Sequence, residues 1–435
     1  MTKKIITLTF AVLAVFCQSA HAKVYIDLSA PTERRLPIAI EEFAEITASG
    51  KEGAAIKDTL MGALKSDLNF SGLFNILSTA SAKPSARLGE DASGCDRWMP
   101  LGADALITGA YAIDKGTLSL EVKLFDCVAG KRIMGKKYVG SITSPGRLIH
   151  YFADQLYEEL TGKKGVFSTK LLFVSGRTDN KELYVSDYDG KNAFQLTRNN
   201  HIDISPKWSP DGGRALYVSY KSGWPCLYIL DLKTGKDAAV SCKQGLNISG
   251  AFSPDGNVIA LTLSLERDSS PELYLLDLRT GGYTRLTSNH GIDVSPSWSP
   301  DGEALAYTSD TSGNPHIFVL RIKDGTKAQR LTFDGKYNSS PAWSPDGKWI
   351  AYSRADNGKF NIWLMDALGR NQTQLTFEGN NSNPSWSPDA RHIVFSSGGG
   401  GLSSLYMIRP DGQGLKKLTT GIGNEKTPAW SPFIR

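Results

Sequence analysis

Histidine is scarce in this chain. There are six in 435 residues, and one of them, His21, falls in a segment read below as removed. The other five, His150, His201, His290, His316 and His392, are scattered. No HExxH, HxH, GxSxG or glycine-lysine phosphate loop occurs, which removes the metalloprotease, serine-hydrolase and P-loop chemistries those motifs carry. Net charge is also small, +5 overall and +3 once Lys3 and Lys4 are discounted, so nothing calls for nucleic acid or an anionic membrane as a partner. After residue 16 no run approaches the 18 apolar residues a membrane helix needs, and the mature chain is expected to be soluble. Glycine and proline together are about one residue in seven, ordinary usage that excludes a collagenous or disordered chain. Their even spread, interleaved with aromatics, argues against a helix-rich class.

The first 22 residues read as an export signal. Lys3 and Lys4 give a basic start, Ile5 to Phe16 is a short apolar run, and Ala20-His21-Ala22 offers small residues for cleavage after Ala22. Phe16 is too bulky to precede a lipidated Cys17. Four cysteines then remain, an even number that suggests disulfides in an exported chain. Of the three pairings, Cys95 with Cys127 and Cys226 with Cys242 is favoured, because each stays within one domain.

From about Lys170 the chain repeats. An aromatic followed by Ser-Pro-Asp-Gly appears at Trp208, Phe252, Trp298 and Trp343; Trp386 is followed by Ser-Pro-Asp-Ala and Trp430 by Ser-Pro alone. Spacings of 43 to 46 residues between the aromatics, with short alternating strands between them, indicate a β-propeller. Pro-Asp-Gly is turn chemistry: proline presets φ, aspartate bonds nearby backbone, and glycine accepts positive φ. Strands at Leu171–Ser175, Leu183–Asp187 and Phe194–Thr197 lack a preceding tag, while the last tag has no strands after it. Residues Pro428 to Ile434 should therefore be the inner strand of the blade that residues 171–197 begin. This gives six blades, closed by mixing the two ends of the repeat region, which removes an exposed sheet edge.

Before the repeats, Ile56, Leu60, Leu64 and Leu68 mark one helical stripe, and Ile149, Phe152, Leu156 and Leu160 another. Alternating segments around residues 36–40, 74–77, 105–111, 118–124 and 133–139 read as strands. The expected organisation is a signal peptide (1–22), a mobile N-terminal arm (23–35), a small α/β domain (36–162) and an all-β six-bladed β-propeller (166–435).

Five residues before each tag aromatic stand Asp203, Asn247, Asp293, Asn338, Asn381 and Glu425, all polar and three acidic. They should ring one mouth of the central channel as an exposed rim with a negative bias, suited to a cation or a partner's basic side chain. His201 and His290 fall in corresponding loops beside them. No further histidine there completes a metal site, and no cofactor is implied. The tag residues read as structural.

The export signal, the α/β domain and six such blades ending in Pro-Ala-Trp-Ser-Pro resemble the TolB family of the Tol–Pal system. Leu160-Thr-Gly-Lys-Lys-Gly165 and Val185-Ser-Asp-Tyr-Asp-Gly190 resemble it more specifically. The tag itself also occurs in propellers of prolyl oligopeptidases and some polysaccharide lyases. The resemblance implies a non-enzymatic, monomeric periplasmic adaptor that binds the lipoprotein Pal through propeller loops and TolA through an N-terminal arm. It implies a role in outer-membrane integrity and in invagination of the outer membrane at cell division. Carried over, the Pal-facing positions are His201, Asp203, Asn247, Ser249, His290, Asp293, Ser295, Asn338, Asn381 and Glu425. The arm positions are Lys23, Val24, Tyr25, Ile26, Asp27 and Leu28. The competing readings are a propeller enzyme of the lyase type, which would need a base and usually a metal cluster in the channel, and a small-ligand-binding propeller.

Overall fold

A computed structural model describes residues 26, 35–47, 50–77, 94–265, 270–323, 327–399, 401–419, 421 and 423–434. The export signal and arm residues Lys23, Val24, Tyr25, Asp27 and Leu28 lie outside them. The chain divides into two compact units, residues up to 148 with 159–162, and residues 149–158 with 163–435.

In the first unit a mixed sheet is built from β1 (Leu36–Ile40), β2 (Ala44–Glu45), β3 (Phe74–Ile76), β4 (Ala105–Asp114), β5 (Thr117–Asp126) and β6 (Lys131–Ser141). The order is β3-β1-β4-β5-β6, with β2 pairing β4; β1, β2 and β3 run parallel to their neighbours and β5 and β6 antiparallel. Helix α1 (Lys51–Ser71) buries Ile56, Leu60, Leu64 and Leu68, the stripe read from the sequence. It stops at Gly72, whose positive φ lets its N–H reach back to Asn69 O. A short helix α2 (Cys95–Trp98), absent from the sequence reading, carries Cys95, which is bonded to Cys127. Four residues are too few to show a helical period. Helix α3 (Gly146–Thr161) follows, and its residues 149–158 belong to the second unit. Among the described residues no helix is long and apolar enough to cross a membrane.

The second unit holds six four-stranded antiparallel blades. The first comprises Lys426–Trp430, Lys170–Thr178, Asn180–Asp187 and Phe194–Gln195. The next five follow in order, with inner strands Asp203–Trp208, Leu246–Phe252, Asp293–Trp298, Tyr337–Trp343 and Asn380–Trp386. Closure is as the tag count requires: Lys426 pairs Val174, Ala429 pairs Leu172 and Trp430 pairs Leu171. The closing strand begins two residues earlier than Pro428 and ends at Trp430, because Ser431 bends away to exchange hydrogen bonds with the Lys170 backbone. In the second blade Cys226 is bonded to Cys242.

Each tag is a hydrogen-bonded turn. In the fourth blade, Ser299 Oγ donates to Asp301 Oδ1, Gly302 N–H to Ser299 O, and Glu303 N–H to Asp301 Oδ1. The hydroxyl bond holds the Asp211, Asp255 and Asp301 carboxyls below their usual range. The glycine position is left-handed in every tag that has one, and Ala390 in the sixth blade adopts the same φ of 58°. An L side chain there costs about 1 kcal/mol. Ala390→Gly should therefore stabilise the propeller by roughly that amount, read as a raised denaturant midpoint with unchanged slope.

Candidate functional site

The six polar positions are not a rim. Asp203, Asn247, Asp293, Asn338, Asn381 and Glu425 are each at most 1 % exposed. Each opens an inner strand and hydrogen-bonds back to the preceding blade, usually through the threonine that follows the Leu of its fourth strand. Between the fifth and sixth blades, Asn381 Nδ2 donates to Thr376 Oγ1 (3.0 Å) and Asn361 Oδ1 (3.2 Å), while Ile362 N–H donates to the same threonine oxygen. Between the sixth and first, Thr419 Oγ1 donates to Glu425 Oε2 (3.1 Å), and Arg177 pairs with Glu425 Oε1 at 2.7 Å. Between the second and third, Ser241 Oγ donates to Asn247 Oδ1 at 2.8 Å. Between the fourth and fifth, Asn338 Nδ2 lies 3.1 Å from His316 Nδ1, beside Thr332. Burial and Arg330 push the His316 pKa down, so this ring stays neutral. The expectation of an exposed acidic ring is corrected: these residues latch blade to blade.

Two of the latches face carboxylate with carboxylate. Burial raises the Asp203 and Asp293 pKa values, and Glu182 and Glu272 beside them add to this. Asn199 Nδ2 donates to Asp203, and Asn289 Nδ2 to Asp293, at 2.8 Å in both cases, which partly offsets the cost.

The channel wall is formed two residues further on. Ser205, Ser249, Ser295, Ser340, Asn383 and Thr427 all hold φ between 48° and 57°. Each sits in a β-bulge of its inner strand. Three of these left-handed residues donate their backbone N–H to the preceding blade: Ser340 to Thr308 Oγ1, Asn383 to Ser353 Oγ and Thr427 to Ser396 Oγ. With Gly250 and the prolines that follow the last four, all six line a central cavity of about 70 Å³. Ser249 and Ser295 thus lie on the channel wall, while His201 and His290 are exposed on the loops of the second and fourth blades.

What the sequence reading missed at this mouth is apolar. The residue immediately before the buried polar one is Ile202, Leu246, Ile292 and Tyr337 in four successive blades, exposed by 41, 37, 46 and 43 %. Trp224, Phe333 and Phe377 are exposed in loops at the same end of the strands, and Leu402 is exposed where the third strand of the sixth blade begins there. Beside them a polar cleft of about 490 Å³ is lined by Asn380, Ser382, Asn383, Gly398, Gly399, Asn424 and Lys426, among others. The repeat placed four apolar side chains next to four polar ones, and that alternation was the available signal.

A His150, Asp187 and Asp189 cluster brings possible metal-ligand atoms within 4.8 Å of one another. Lys170 pairs with Asp187 and Lys191 with Asp189 at 3.0 Å, so ammonium groups already supply the positive charge there.

Fold and site together define a six-bladed propeller, preceded in sequence by a small α/β domain, with exposed apolar side chains at one mouth of its channel. The chain belongs to the TolB propeller family: residues 157–434 match the TolB beta propeller domain, and residues 24–133 match the TolB amino-terminal domain. It is 37 % identical over 250 residues to the Tol-Pal system protein TolB of Desulfosudis oleivorans, 56 % of each chain. It is 33 % identical over 246 residues to that of Desulfotalea psychrophila, 56 % of this chain and 54 % of the relative. The chain thus spans little more than half the length of these relatives. The crystal structure of TolB from Acinetobacter baumannii is similar, with TM-score 0.76 and 27 % identity, over 92 % of this chain and 97 % of that one.

Proposed function

We propose that this protein is a non-enzymatic periplasmic adaptor of the Tol–Pal system, taking the lipoprotein Pal on the loop mouth of its propeller and TolA on the arm of residues 23–35. In this role it would maintain outer-membrane integrity and support outer-membrane invagination during cell division. The observation that carries the reading is the ring of Ile202, Leu246, Ile292 and Tyr337. Exposed apolar side chains repeated around one opening form the kind of patch that protein partners cover. The matched relatives, named for the Tol-Pal system, supply the partner class. Of the arm, Ile26 is described, and its backbone N–H donates to Leu160 O at 2.7 Å.

The acidic ring no longer contributes, since its members are buried, so the interface should be driven by apolar contact. Purified protein titrated against the periplasmic parts of Pal and TolA tests both halves. Ile202→Asp with Ile292→Asp places charge on an exposed apolar ring and should weaken Pal binding at least about tenfold, with TolA binding retained. Deleting residues 23–35 should do the reverse. Parent-like Pal affinity in the double variant, or equal loss of both partners, contradicts the assignment.

A further inference from the structure

The channel wall carries a charge opposite to that expected of an acidic rim. One residue before each tag aromatic, the inner strands place Lys207, Ala251, Ser297, Ala342, Ser385 and Ala429. Lys207 is the one charged member of that ring, and it is also the one charged residue lining the central cavity. It also borders a wider opening of about 310 Å³ lined by the tag residues. Among the described residues it makes no ion pair. The residue is exposed, and the protein around it lowers its pKa by desolvation, with no carboxylate opposing. The acids that could have neutralised it, Asp203 and Asp293, are turned into the latches between blades.

Around this cation the wall offers donors. The hydroxyls of Ser205, Ser249 and Ser295 line the same cavity and are engaged in no hydrogen bond with the described residues. The cavity volume is several times what one water requires. A single ammonium without an ion-pair partner, sharing a narrow cavity with hydroxyl donors, matches an oxyanion in charge and hydrogen-bonding sense.

We propose that the propeller channel is a binding site for one small oxyanion, such as phosphate or a carboxylate, paired with Lys207 and hydrogen-bonded by the serine ring. The site is independent of the docking mouth: it rests on the channel wall and needs no partner protein.

Lys207→Ser is the informative variant, because serine stands at the equivalent position of the fourth and sixth blades, as Ser297 and Ser385, and is compatible with the strand. Phosphate and acetate are titrated separately into the full chain at constant ionic strength, followed by calorimetry, by thermal midpoint and by the ¹⁵Nζ signal of Lys207. The parent should bind one equivalent saturably, with a rising midpoint and a shift at Lys207. Lys207→Ser should fold with a parent-like midpoint in the absence of anion and bind at least about tenfold more weakly. Absence of saturable binding in the parent, or equal binding in the variant, overturns the proposal.

Discussion

A chain ended after Glu425 should lose the cooperative unfolding transition of its propeller. The removed segment is the inner strand of the first blade, and it also ties that blade to its neighbours. Trp430 Nε1 donates to Thr169 Oγ1 at 2.8 Å, Trp430 N–H donates to Ser385 Oγ in the sixth blade, and Trp208 Nε1 of the second blade donates to Ala429 O. Ala429 and Trp430 are buried. Losing a buried tryptophan alone costs about 3–5 kcal/mol. That approaches the whole stability of a typical domain, before counting the unpaired edge left on Lys170–Thr178. The truncated protein should show weakened near-ultraviolet circular dichroism and a broad, low-enthalpy transition. Trp430→Ala, which keeps the strand, should lower stability by about the side-chain cost alone. A truncation that melts as the parent does would refute closure through this strand.

Asp203→Ala with Asp293→Ala should be strongly destabilising, whereas the corresponding double Asn variant should be tolerated. Alanine leaves the buried-facing Asn199 Nδ2 at one site and Asn289 Nδ2 at the other without their acceptor. Each buried loss costs about 1–3 kcal/mol, and the two sites share no hydrogen bond, so the costs should add. Asparagine already fills the position at Asn247, Asn338 and Asn381. It keeps an acceptor and removes a buried carboxylate. Because burial raises both Asp pKa values, the folded state holds these protons more tightly than the unfolded state does. The stability this contributes is complete below about pH 3.8 and is lost as pH rises through the folded-state values. Relative to the parent, the Asn variant should gain stability as pH rises from 4 to 7. Denaturant unfolding at several pH values reads this directly; an Ala variant as stable as the Asn one would mean the latches carry no load.

Much of the fold was legible because its signals are local. Ser-Pro-Asp-Gly writes its own hydrogen bonds within a few residues, so counting tags counted blades, and the tagless strands at residues 171–197 located the closure. The latches were visible as a pattern, yet their burial was not, because Asp and Asn suit an exposed loop as well as a satisfied interior. The deciding clue was also periodic: threonine or serine five or six residues earlier, at Ser241, Thr287, Thr332, Thr376 and Thr419, supplies the partner hydroxyl that a solvent-facing rim would not need. The apolar mouth and Lys207 escaped for another reason. Each is defined by comparing one register position across blades, and a strand with a bulge shifts which positions face the channel. α2 and β2 are too short to leave any periodic trace.

Hydrogen exchange of the full chain, with and without saturating Pal, tests the adaptor account most directly. Docking on the loop mouth predicts that Pal protects residues 198–202, 243–247, 288–293 and 333–338, leaving the tag turns at 209–213 and 299–303 unchanged. Protection confined to the tag turns, or no protection anywhere in the propeller, would contradict it.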